Sequence, residues 1–187
     1  MSRIIYETAT SFDGYIADDN NSLDWLFAVP GGDAPDPELA PPHAAVQVMG
    51  STTYEWVLNQ LNAIDAPDEW VKAFGETPVF VFTSRRLPVP DGSTVSFLSG
   101  SIDGALPKLR GAAAGGDIWV VGGGDLAGQF IDSQALDRLV FTIAPVALGS
   151  GAPLLPHRVE SDRLTLTSVK QVGQFARLTY HVSYPSL

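Results

Sequence analysis

Apolar residues dominate positions 4–10, and the turn residues Ser11, Asp13 and Gly14 end the run, which predicts a first β-strand. Tyr15, Ile16 and Ala17 resume an extended segment before the polar stretch 18–22. A short apolar run over 44–49 stops at Gly50, and 53–61 has the spacing of a helix. Residues 67–74 predict a second, with Pro67 in its first turn. β-Branched and aromatic content marks 77–83 as a strand and 95–98 as a weaker one. A modest helix over 103–109 precedes the glycine-rich stretch 111–116, and residues 118–121 form the next buried run. After Gly122, Gly123 and Gly124, an amphipathic pattern reaches Ile131. Residues 136–143 predict a strand and 145–153 a loop, while 164–172 and 174–184 alternate as a hairpin around Gly173. Helices alternate with strands early, and strands finish the chain. The expected architecture is a three-layer α/β/α domain with a mixed, mostly parallel sheet and antiparallel C-terminal strands. One domain over 1–187 is expected, with 28–42, rich in Pro and Gly, as its least regular part.

Three strand ends carry residues suited to an anion. The glycines after Val121 permit a sharp turn and a close approach to the backbone, and the helix beginning near Asp125 and Leu126 offers unpaired N–H groups. A tight strand-to-helix turn needs the same residues. Gly50, Ser51, Thr52 and Thr53 place three hydroxyls at another strand-to-helix junction, where they serve either as caps or as phosphate donors. Thr83, Ser84, Arg85 and Arg86 follow a third strand, and paired arginines bind phosphate by forked hydrogen bonds or stand in a solvated loop.

Composition narrows the function by exclusion. Hydrophobic residues make up 45% and charged ones 17%, enough apolar content for a sizeable core. A net charge of −10 with only 11 Lys and Arg argues against a nucleic-acid or anionic-membrane surface. Without cysteine there is no disulfide, thiolate metal site or cysteine nucleophile. His43, His157 and His181 are scattered without ligand spacing, so no metal is expected. No apolar run reaches membrane length and the N-terminus lacks a signal-peptide core, so a cytoplasmic location is expected.

Six short motifs in order carry a resemblance. Residues 11–17 resemble S-L-D-G-x-I-A, 23–26 contain D-W-L, and 50–55 match G-R-x-T-Y-E except at Ser51. Residues 81–85 match V-x-T-S-R, 121–126 match V-G-G-G-x-L, and 145–154 match P-x-x-L-G-x-G-x-P-L. Together they resemble the dihydrofolate reductase-like fold, in the branch related to the reductase domain of riboflavin biosynthesis. That resemblance implies an NAD(P)H-dependent oxidoreductase acting on a small heterocyclic or conjugated substrate, pterin- or pyrimidinone-like. The alternative is a non-catalytic dinucleotide-binding protein of the same fold. NADPH is the implied cofactor, with NADH possible because Ser51 replaces an arginine. By the resemblance, Thr52, Thr53 and the backbone of Val121, Gly122, Gly123, Gly124, Asp125 and Leu126 hold the pyrophosphate, beside Gly50 and Ser51. Thr83, Ser84 and Arg85 face the adenosine, and Ala9, Ile16 and Ala17 line the nicotinamide. A homodimer is implied as well.

Substrate candidates follow the opening motif. Asp13 orients substrate or serves its own turn. Asp24 supplies a proton or caps the following turn, and Trp25 covers a pocket or anchors the loop. The acidic pair of the riboflavin-pathway enzymes is missing from 54–59, and the proline-rich 33–43 offers only Asp36 and Glu38. The strand containing Arg177 to Val182 reads as an exposed edge that a partner must cover.

Overall fold

The apolar segments assemble into one eight-stranded sheet in a computed structural model that describes residues 2–32, 36–39 and 43–185. Chain order gives β1 (Ile4–Ser11), β2 (Tyr15–Ala17), α1 (Asp24–Phe27), β3 (Val46–Gly50), α2 (Ser51–Gln60), α3 (Pro67–Phe74), β4 (Val79–Phe82) and β5 (Val95–Leu98). Then follow α4 (Ile102–Ala113), β6 (Ile118–Gly122), α5 (Gly124–Asp132), β7 (Arg138–Ala144), β8 (Ala152–Pro153), β9 (Leu164–Val172) and β10 (Phe175–Val182). Strand order across the sheet is β5-β4-β3-β6-β1-β7-β10-β9. Pairings from β5 through β7 are parallel, and β10 runs antiparallel to both β7 and β9. The strands β2 and β8 form a separate two-stranded ribbon.

Alternation along the parallel strands explains the layers. Ile4, Tyr6, Val46, Val48, Ile118 and Val120 meet α4 and α5 on one face. On the other, Met49, Val79 and Val81 meet Tyr54, Val57 and Leu58 of α2 and Trp70 of α3. A smaller cluster joins Trp25, Leu26 and Val29 to Ala144 and Phe175. The expected three-layer mixed architecture is therefore present.

Several boundaries differ from the sequence reading for identifiable reasons. The helix expected over 103–109 runs over Ile102–Ala113, through Gly104, Pro107 and Gly111. Burial of Ile102, Ala105, Leu109 and Ala113, one helical face, outweighs the poor propensity of those residues. Ser101 caps it, its Oγ accepting from the Gly104 N–H at 3.2 Å. α2 starts at Ser51 rather than 53, with Gly50 extended at the N-cap. The loop 145–153 includes two residues of β8, drawn into strand geometry by β2. β10 is not an edge: β9 covers it, and the exposed Leu166 and Val169 lie on that outer strand. Within the irregular stretch, residues 33–35 and 40–42 lie outside the described residues, and Pro37–Leu39 makes a short 3-10 turn. Among the described residues, no helix is long and apolar enough to cross a membrane.

The layer formed by α3 should be sensitive to its one buried residue, Trp70. Trp70 is fully buried, stacked on Phe74 at 4.3 Å and edge-on to Tyr54 at 5.7 Å. Trp70→Ala is expected to lower unfolding free energy by about 3–5 kcal/mol, read as the shift in a urea denaturation curve.

Candidate functional site

Parallel pairing carries the carboxyl ends of β1, β3, β4 and β6 to one side of the sheet, where open α/β sheets collect ligands. Two cavities of about 340 Å³ each occupy that edge. The first is lined by Ile16, Ala17, Thr52, Thr53, Val121, Gly122, Gly123, Gly124 and Asp125. The second is lined by Gly50, Ser51, Thr83, Ser84, Asp125 and Leu126, together with Ser99 and Gly100. They meet at Gly123 and Asp125. Fourteen of the sixteen residues expected at a cofactor site thus come from four separate stretches of chain to one groove, Arg85 and Ala9 excepted.

The three glycines of this groove do different work. Gly123 turns the chain with φ +94°, a conformation side-chain-bearing residues avoid. At Gly122 a Cβ would sit 2.8 Å from Thr53 Oγ1, and at Gly124 it would collide with the Pro153 carbonyl. Close packing of α2 and of the 152–154 segment against the turn therefore requires both. The first turn of α5 leaves N–H groups without intrahelical acceptors, at the positive end of the helix dipole. Hydroxyls of Ser51, Thr52, Thr53, Thr83 and Ser84 add further donors along the groove. A phosphate chain fits this donor set.

Arg85 departs from its expected place. Its guanidinium donates to Glu55 of α2 through both ends, at 3.0 and 2.6 Å, and it does not line the second cavity. That pairing raises the Arg85 pKa, the Glu55 hydrogen bond being the larger cause. Arg86 lines neither cavity. Ala9 faces a third cavity, of about 280 Å³, shared with the first only through Thr8.

Among the described residues, none of the three substrate candidates lines any of these three cavities. The Asp13 carboxylate accepts from Ser11 Oγ at 2.6 Å, Leu148 N at 3.0 Å and Gly149 N at 2.7 Å. It therefore latches the β1–β2 turn to the 145–151 loop. Asp24 is exposed in the first turn of α1, and its N–H donates to Ser22 Oγ. Trp25 anchors its loop, the indole N–H donating to the Ser22 carbonyl at 3.1 Å. Phe27, two residues on, lines the third cavity together with Trp119 and Phe175.

Two residues to which the sequence assigned no role hold important positions. Glu7, on the central strand β1, is buried and paired with Arg177 of β10 at 2.5 Å. Burial pushes its pKa up, against the lowering influence of Arg177. An ionisable residue amid an apolar central strand was the available signal. His157 lies between Asp132, at 3.0 Å, and Asp125, at 3.3 Å. Its ring occupies the space where a Cβ on residue 128 would stand, so Gly128 lets the loop dock on α5. Nothing local in the sequence marks that contact.

The Asp13 latch has a pH signature. Its hydrogen bonds, that from Ser11 foremost, hold its pKa down at about 2 against an ordinary 3.8. A depressed carboxyl pKa gives stability that is present above the unfolded value and is lost as pH falls through the folded one. The stability gap between the wild type and Asp13→Asn should be full at neutral pH and close between about pH 4 and pH 2. Urea midpoints measured across that window, with amide exchange at Leu148 and Gly149, check it; a constant gap would contradict the latch.

Known proteins are similar to this chain over most of its length. The family model of the RibD C-terminal domain matches residues 2–176. The uncharacterised protein YwjB of Bacillus subtilis is 31% identical over 180 residues, covering 92% of this chain and 93% of YwjB. A solved structure of a protein assigned to riboflavin biosynthesis in Shewanella sp. PV-4 superposes with a TM-score of 0.73 at 28% identity, covering 98% of this chain and all of that one. Dihydrofolate reductase of Enterococcus faecalis, solved with NADP(H), superposes with a TM-score of 0.63 at 16% identity, covering 97% of each chain, a likeness of fold alone. With residues 2–176 matched by the family model, the chain belongs to the RibD C-terminal domain family, on a dihydrofolate reductase-like, reductase-type fold.

Proposed function

We propose that this protein is an NAD(P)H-dependent oxidoreductase that passes hydride to a small heterocyclic or conjugated acceptor. The observation that carries this reading is the continuous groove over the ends of β3, β4 and β6. Glycine backbone, helix N–H groups and hydroxyls converge there, and a mostly apolar third cavity adjoins it at Thr8. The dinucleotide supplies the hydride when bound. The chain's own residues then have three tasks. The turn 122–124 and Thr52 and Thr53 hold the phosphates, Ile16 and Ala17 line the ring end, and the apolar walls keep water from the transfer.

Coenzyme choice rests on Arg85 in this reading. Its partnership with Glu55 is exposed, and exposed pairs are weak, so a ribose 2′-phosphate at the rim competes for the same fork. NADPH binding, followed by fluorescence titration, should weaken about tenfold or more in Arg85→Ala, with NADH little changed. Glu55→Gln should strengthen NADPH binding alone, by releasing the guanidinium. Gly123→Val should weaken both cofactors together. Equal loss of both nucleotides in Arg85→Ala would remove the adenosine-side assignment. If neither nucleotide bound at millimolar concentration, the reductase reading would fail.

Assembly is the second part of the reading. The outer strand β9 leaves one side unpaired and exposes Leu166 and Val169. That open, partly apolar edge supports a homodimer built by pairing with a second copy. Light scattering at micromolar concentration should give twice the chain mass, and a monomer would count against it.

A further inference from the structure

Asp125 puts a carboxylate where a phosphate site should have none. It is the second residue of α5 and lines both cavities at their junction, beside the glycine turn that the reductase reading gives to the phosphates. An unscreened carboxylate there repels an anion. An acid in the first turn of a helix is also drawn to the free N–H groups of that turn, the donors a phosphate would use. Both oxygens of Asp125 are turned elsewhere. Oδ2 accepts from Gln129 Nε2 at 2.7 Å, one helical turn on, and Oδ1 faces His157 Nε2 at 3.3 Å. Among the described residues these are its only side-chain partners, so the first-turn N–H groups stay open to the groove.

Spacing along α5 explains how one ring reaches two carboxylates. Asp125, Gly128 and Asp132 follow at i, i+3 and i+7, so they share one face of the helix. Gly128 leaves the gap that the His157 ring fills. Nε2 then faces Asp125, and Nδ1 faces Asp132 at 3.0 Å. Carboxylates only accept, so a ring carrying both protons satisfies both partners and a neutral ring satisfies one. Asp132 ends α5 at the negative pole of the helix dipole, where a cation is favoured and a second carboxylate is not. Only 19% of the His157 side chain is exposed, against 72% for Asp125 and 63% for Asp132, so solvent screens the pairs and keeps their influence modest. On the ring's own loop Arg158 and Glu160 pair with each other at 2.5 Å. Among the described residues, no charged group but the two aspartates pairs with His157.

We propose that His157 is a positioning residue of the cofactor groove: its imidazolium holds the Asp125 carboxylate along α5 and offsets its charge, so that a dinucleotide phosphate can take the first-turn N–H groups. When the ring loses a proton, one of its two contacts is lost. Asp125 then regains its full negative charge at the junction of the cavities, and phosphate binding weakens. This role rests on the reductase reading and adds to it a proton-linked control of cofactor affinity. Pro156, next to His157, lines the first cavity, so the same clasp also fixes one of its walls.

The test is NADPH affinity of the full chain, measured by fluorescence titration from about pH 6 to about pH 8.5, across the usual range of histidine. At the acid end the wild type should bind about three- to tenfold tighter than His157→Gln, and the gap should close at the alkaline end. The 2′-phosphate of NADPH itself titrates at about pH 6, and the ratio between the two chains cancels that contribution. A ring that only filled space over Gly128 would give a gap that pH does not move. In an Asp125→Asn background, His157→Gln should produce no pH-dependent gap, because the charge to be offset is gone. The wild type alone supplies a second readout. By reciprocity, the NMR titration midpoint of the His157 ring should rise by about half to one pH unit when NADPH is bound. A gap independent of pH, a pH-dependent gap that persists in Asp125→Asn, or an unmoved midpoint overturns the proposal, while NADPH binding, and with it the reductase reading, stands. No binding of NADPH at any pH removes the reductase reading and the role of His157 together.

Discussion

At Gly122 and Gly124 there is no room for a β-carbon, and the arrangement of the candidate site follows from that lack of space. Thr53 of α2 packs into the gap at Gly122, and the carbonyls of Pro153 and Leu154 close over Gly124. Between them, Gly123 adopts a positive φ that starts α5 with its N–H groups facing the groove. A side chain at either outer position would push α2 or the 152–154 segment away. The first cavity would then lose a wall, and the junction with the second at Gly123 and Asp125 would open. Three parts of the chain distant in sequence are brought together by one tight turn.

The opening strand connects that groove to the rest of the molecule. β1 pairs with β6 on one side and β7 on the other, so residues from the glycine turn and from the β7–β10 side flank it together. Its polar residues divide the work. Asp13, just beyond its end, secures the 145–151 loop through backbone N–H groups. Glu7, deeper in the strand, keeps a charge in an apolar setting because Arg177 reaches it from β10. Removing a carboxylate from water is costly, and the upward pKa shift of Glu7 expresses the part of that cost which Arg177 does not offset. The His157 clasp on α5 complements these from the opposite side of the groove, tying the loop that bears Pro156 and Pro153 to the helix.

Exposed and buried charges behave differently here. Glu55 and Arg85 meet at the surface, where water competes and a ligand can exchange for either partner. Glu7 and Arg177 meet inside, where neither can be left alone. The first pair can tune affinity; the second fixes geometry. That contrast comes from burial, since the residue types are the same.

Periodicity and turn residues in the sequence determined the strands, the helix after the glycine turn, the hairpin at Gly173 and the three strand ends that share the groove. These are local properties, set by side-chain spacing and by which residues tolerate a given backbone conformation. The length of α4 was not legible, because its glycines and proline argue against helix until burial of one face is counted. Nor was the edge strand, since two alternating strands read alike until sheet order makes β9 the outer one. Only the tertiary structure turned Arg85 toward Glu55, Asp13 toward the 145–151 loop, and Arg177 toward Glu7 across 170 residues of chain. Hydrogen-bond partners of charged side chains depend on which strands become neighbours, and no pattern within a single segment encodes that.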